Sequence, residues 1–60
     1  MKEHLIAVIE EEYEVHLNSK ILRYDGELED GSPVYVIIDK QKNMKEFKTA
    51  AEAAEEWLKL

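Results

Sequence analysis

The run Val34-Tyr35-Val36-Ile37-Ile38, fenced by Gly31-Ser32-Pro33 before it and Asp39 after it, constrains this chain more than any other feature. β-branched and aromatic residues in unbroken succession between turn formers mark a strand. Lys40-Gln41-Lys42-Asn43 follows as a polar turn, and Met44 to Phe47 returns as a short strand. Thr49 and, three residues on, Glu52 form a Thr-x-x-Glu capping box, in which hydroxyl and carboxylate are each expected to satisfy an otherwise unpaired backbone N–H. Ala50 to Leu60 then reads as a helix with Ala54, Trp57 and Leu58 on one face and Glu52, Glu55, Glu56 and Lys59 toward water. Its alanines let it lie close on a sheet, and Trp57, Leu58 and Leu60 are expected to complete the core.

Upstream, Leu5, Ile6, Val8 and Ile9 recur at helical spacing, which predicts an amphipathic helix from Lys2 to Glu12. Tyr13 to Leu17 fits two templates. As a strand it alternates cleanly, with Tyr13, Val15 and Leu17 one way and Glu14 and His16 the other. Asn18-Ser19 would then be a hairpin turn leading into Ile21–Tyr24. A helix running on to Leu17 and capped by Asn18 is the alternative, and the strand template matches better. Asp25 to Pro33 reads as an acidic, turn-rich loop, too short for a crossover to a parallel strand, so the strands it joins are expected to be antiparallel. The fold expected is α+β in one domain, residues 1–60: an N-terminal helix, an antiparallel sheet of three to four strands and a C-terminal helix, both helices on one sheet face.

A chain of this size buries only about 60% of its unfolded surface. It has no cysteine, which excludes disulfides, thiolate metal sites and cysteine nucleophiles. Its 45% apolar content, including three Tyr, one Trp and one Phe, argues against disorder. No apolar run approaches the ~20 residues that span a bilayer. The N-terminus lacks the apolar stretch of a secretory signal, and a cytoplasmic location is expected.

Charge is unevenly spread. Residues 1–32 carry three basic and nine acidic side chains, whereas residues 33–60 carry five of each, so the whole net charge of −6 sits in the first half. That sign disfavours direct contact with nucleic acid, whose phosphates attract a basic footprint. Asp25, Glu27 and Glu29 have the one-three-five spacing of an EF-hand loop, but position six is Asp30 where glycine is needed, and position twelve is Val36 where a bidentate glutamate is needed. No metal or cofactor is therefore expected. His4 and His16 lack a second donor at ligand spacing, no nucleophile motif or phosphate loop is present, and a usual ligand pocket of ~300 Å3 is not expected in so small a domain. Catalysis is not expected. Lys40, Lys42, Lys45 and Lys48 surround the turn after the central strand, where they give the molecule a basic end and discourage sheet-to-sheet aggregation.

The carboxylates are the functional lead. Glu10, Glu11, Glu12 and Glu14 cluster at the end of the first helix, and Glu27, Glu29 and Asp30 lie in the loop. Plain solubility explains an acidic surface. A patterned one also occupies a basic groove built for nucleic acid, its carboxylates replacing phosphates. Glu10, Glu11, Glu14, Glu27, Glu29 and Asp30 are the candidate contacts with a protein partner of basic surface.

The order Tyr13-Glu14-Val15, then Val34-Tyr35-Val36-Ile37, then Phe47 to Leu58 resembles small proteins carried by phages and other mobile elements, and is loosely similar in layout to acidic anti-CRISPR proteins that imitate DNA. The likeness is one of element order and a few aromatic positions, with no motif to carry across, and the lysines around residues 40–48 depart from a thoroughly acidic mimic. It implies a binding protein more than an enzyme, and the function expected is that of a small intracellular inhibitor whose acidic surface blocks a basic site on a host protein. A structural module that self-associates as a homodimer, through a sheet edge or the second helix, is the reading from another class.

Overall fold

A computed structural model describes all 60 residues. Helix α1 covers Lys2–Glu10 and stops short of the expected Glu12. The reason is local. Tyr13 N–H donates to the Val8 carbonyl at 3.2 Å and Glu12 N–H to that of Ile9 at 3.0 Å, with Glu12 at φ 67°. This is a Schellman ending with glutamate where glycine usually announces the stop.

Tyr13 and Glu14 form a connection, and strand β1 is Val15–Leu17. The strand reading holds, over a shorter span, and the alternative of a helix to Leu17 is overturned. Asn18 and Ser19 adopt φ 52° and 65°, joining the paired residues Leu17 and Lys20 in a two-residue hairpin of the kind whose twist matches its strands.

Strand β2 runs over Lys20–Glu27, farther than Tyr24, into the expected acidic loop. A register irregularity between Tyr24 and Glu27, with Gly26 at φ 98°, bends it. The turn to β3, Pro33–Ile38, is therefore only Leu28–Ser32. There Gly31 N–H bonds to Leu28 C=O at 2.9 Å and the Asp30 carboxylate accepts from Ser32 N–H at 2.9 Å. After a second such turn, β4 covers Met44–Phe47.

The four strands form an antiparallel sheet in chain order, β1-β2-β3-β4. Helix α2 covers Ala50–Lys59. The Thr49 hydroxyl accepts from Glu52 N–H at 3.1 Å and itself donates to the Glu52 carboxylate at 3.2 Å. The carboxylate thus holds the hydroxyl, and the expected bond to Thr49 N–H is absent from the cap.

Both helices lie on one face of the sheet. Leu5 and Ile9 of α1 and Ala50, Ala53, Ala54 and Trp57 of α2 pack on Leu22, Tyr35 and Ile37, with Val15, Tyr24 and Phe47 at the margin. Four buried positions of α2 at the i, i+3, i+4, i+7 spacing make a narrow stripe. Leu58 lies one step round the helix and Leu60 beyond its end, so both are exposed, at 47% and 58%, contrary to expectation.

Two expectations test this packing. Replacing Trp57, 8% exposed, with Ala is expected to cost about 3–5 kcal/mol in chemical denaturation, enough to unfold much of a domain this small. Ser19→Gly relieves a left-handed residue of its Cβ and is expected to raise stability by up to about 1 kcal/mol; an unchanged or lower denaturation midpoint would show that Ser19 carries no strain.

Candidate functional site: an acidic end and a bare sheet face

Antiparallel connectivity sorts the termini and turns of this fold into two ends. At one lie the C-terminus of α1, the residues leading into β1, the β2–β3 turn and the start of α2. At the other lie the start of α1, the β1–β2 and β3–β4 turns and the end of α2. The Lys2–Glu55 contact at 3.2 Å fixes the direction of α1, bringing its start beside the second half of α2.

The candidate carboxylates fall on the first end. Glu10 and Glu12 reach the field of the Tyr35 hydroxyl, and Glu12 and Glu27 that of Tyr24. Burial, reinforced by these carboxylates, raises both phenol pKa values. The two rings meet edge to face with centroids 5.6 Å apart, so Glu10, Glu12 and Glu27 surround one aromatic pair. Glu29 and Asp30 occupy the adjoining turn. None of Glu10, Glu11, Glu12, Glu27, Glu29 and Asp30 is in an ion pair. Glu12 belongs with this group although spacing did not single it out as a contact.

Glu14 is different. It accepts from His16 Nε2 at 2.9 Å and lies 3.7 Å from Arg23 Nη1. The His16 bond is the chief cause of its lowered pKa. It is an intramolecular partner on the opposite sheet face, apart from the other five candidates. Nor does the calcium-like spacing make a ring: Asp25 and Glu27 belong to β2, and Asp25 pairs with Arg23 Nη2 at 3.3 Å.

The other end is basic. Lys20, Lys40 and Lys42 sit at its two turns and Lys59 at the end of α2. Asp39 organises the β3–β4 turn, its carboxylate accepting from the N–H groups of Gln41 and Asn43, each at 2.9 Å. An acid preceding a polar tetrapeptide is a turn signal, but nothing in the sequence marked Asp39 as its hub. Beside it, Lys20, Ile37, Met44, Glu56 and Leu60 border a groove of about 330 Å3, where no pocket of that size was expected. It opens where the last turn of α2 faces the hairpin, and its Lys45 and Glu56 pair at 3.6 Å.

The sheet face away from the helices carries Ile21, Val34, Val36 and Ile38 with Arg23, Glu46 and Met44. Val36 is fully buried there, between its cross-strand neighbours Arg23 and Glu46, and Arg23 Nε has no hydrogen-bond partner. No helix is long and apolar enough to cross a membrane. No protein-family model matches the chain, and neither a curated protein nor a solved structure matches it.

Acid sensitivity follows from the turns. The Asn43 N–H above all lowers the pKa of Asp39, and the Ser32 N–H that of Asp30. Carboxyls depressed on folding contribute stability that is fully present above their unfolded values and is lost as pH falls through the folded ones. The denaturation midpoint is therefore expected to drop as pH falls below about 4. Asp39→Asn keeps an acceptor but cannot titrate, so it is expected to flatten that drop; an identical acid slope in the variant would remove Asp39 as a cause.

Proposed function

We propose that this protein is a small intracellular binding protein whose acidic end docks on a basic, nucleic-acid-binding surface of a protein partner and blocks it. One observation carries the reading. The fold collects Glu10, Glu11, Glu12, Glu27, Glu29 and Asp30 at one end and leaves all six without a cation. Lys2, Lys45 and Lys59 meanwhile pair with Glu55 and Glu56 elsewhere, and Lys48, beside the start of α2, is the one lysine near this end. Solubility needs net charge but no such segregation. Clustered carboxylates with no internal partner create a field that steers a basic surface toward them, much as phosphates do. An inhibitor carried by a phage or another mobile element is the form of this reading to which the resemblance in element order leads. The basic end has a separate part, since it orients the approach and repels the partner from the wrong side.

The test compares the immobilised wild-type chain with two variants against lysate of a candidate host. Glu11→Lys combined with Glu29→Lys reverses two exposed, unpaired carboxylates that no turn depends on. Lys40→Gln combined with Lys42→Gln neutralises the far end. A nucleic-acid-binding protein is expected on the wild type and on the lysine variant, absent from the glutamate variant, and displaced by duplex DNA. Retention by the glutamate variant, with loss on the lysine variant, would place the contact at the basic end and end the proposal.

A further inference from the structure

The bare sheet face carries a pattern that the acidic end does not explain. Its side chains form three rows across β2, β3 and β4. Ile21, Ile38 and Met44 make one row, and Arg23, Val36 and Glu46 the next. Asp25, Val34 and Lys48 continue the pattern as a third row past the regular pairing, Asp25 in the bulge of β2 and Lys48 just beyond the end of β4. Asp25 is held to this face by its 3.3 Å contact with Arg23, and Lys48 borders the same hollow as Val34 and Glu46. Apolar side chains occupy the whole of the first row and the centre of the others. The charges are antisymmetric about β3, with Arg23 opposite Glu46 in one row and Asp25 opposite Lys48 in the next. Glu46 and Lys48 have no ion-pair partner within the chain, and Arg23 Nε has no acceptor.

We infer that this face pairs with the same face of a second copy, about a two-fold axis running along β3. Such an axis keeps each row at its level and exchanges β2 with β4. Arg23 then meets the partner's Glu46, Asp25 the partner's Lys48, and Ile21 the partner's Met44, each contact occurring twice. Of the other two-folds in the plane of the face, one across the strands between the second and third rows matches charge but leaves the apolar first row uncovered, and two more fail on charge. An axis across the strands through the second row sets Arg23 against Arg23 and Glu46 against Glu46. An axis between β2 and β3 sets Glu14, which falls in the Arg23 row next to β1, against Glu46. Aligned packing of twisted sheets at about −30° needs only a small tilt of the chosen axis.

The sheet edges are poor alternatives. β1 has three residues and β4 only four, two of them charged. Strand spacing of ~4.8 Å and a rise of ~3.3 Å per residue give three strands a face of roughly 300–400 Å2 per copy, or roughly 600–800 Å2 for the pair, short of the ~1,200 Å2 total of a stable interface. The pair is accordingly a weak dimer, formed at high concentration. An axis along β3 also sets both acidic ends on the same side, about 10 Å apart, where physiological salt screens their repulsion and a partner would meet a doubled carboxylate surface.

Charge exchange tests this without knowledge of any ligand. Sedimentation of the wild type is expected to show a shift from monomer toward dimer between about 10 µM and 1 mM. Arg23→Glu and Glu46→Arg, each alone, place like charges together twice and are expected to weaken the dimer at least tenfold. Mixed in equal amounts, the two variants restore both contacts and are expected to form a heterodimer that neither forms with itself. Asp25→Lys with Lys48→Glu gives a second complementary pair, should loss of Arg23 impair folding. A wild type that stays monomeric at about 1 mM overturns the inference. So does a dimer indifferent to the exchanges, or a mixture that fails to recover.

Discussion

Everything in this molecule depends on burying one face of one strand. Tyr35 and Ile37 of β3, with Leu22 of β2 beside them, form the floor on which both helices rest. Only ten of the 60 residues are buried, so no second core can stabilise an element that loses contact with that floor. Ala50, Ala53 and Ala54 make the contact possible. Their side chains end at Cβ, so α2 lies near the strands and Trp57 covers apolar surface that two small helices could not otherwise reach. α1 contributes Leu5 and Ile9 and is tied to α2 at its start by Lys2 and Glu55. That ion pair is exposed and adds little energy, so packing holds α1 in place.

A one-sided core has a consequence for charge. The helices take the inner face and apolar residues the centre of the outer one, so carboxylates and lysines are left to the rims. Antiparallel connectivity then sorts them, because alternate turns emerge at opposite ends. The chain puts acids in its first connection and in the β2–β3 turn, and lysines in the β1–β2 and β3–β4 turns. Charge asymmetry along the sequence thus becomes separation in space. The rims also differ in rigidity. Asp39 ties the basic tip to three hydrogen-bond donors of its own turn. The carboxylates of Glu29 and Glu11 have no hydrogen bond or ion pair within the chain.

The architecture was legible in the sequence because its signals are local. The β-branched run, the Thr49 cap and the alternation through Val15 each name an element without tertiary help, and element order did the rest. The misses came where ordinary signals are absent. Nothing marks Glu12 as a helix stop, because a glutamate in the left-handed region looks like any other glutamate until the Val8 and Ile9 carbonyls are seen to be taken. Asp25 and Gly26 read as loop, yet β3 pairing carries β2 through them with a bulge. Leu58 looked like core because the width of the buried stripe depends on how closely the alanines bring α2 to the sheet. The candidate carboxylates were readable as a cluster. That Glu14 leaves it for Arg23 and His16 was not, since this depends on which sheet face the first residues before β1 approach.

The left-handed residues connect these themes. Glu12 and Lys42 sit at φ 67° and 68°, where a side chain costs roughly 1 kcal/mol that glycine would avoid. A protein with so small a core has little stability to spare, and glycine is the substitution that stabilises such positions most simply. Yet Glu12 stands at the acidic end and Lys42 at the basic end, each adding a charge of the sign already there. Replacing either by glycine would trade charge separation for stability. Strain is thus retained at both poles, in the sense that sharpens the molecule's field.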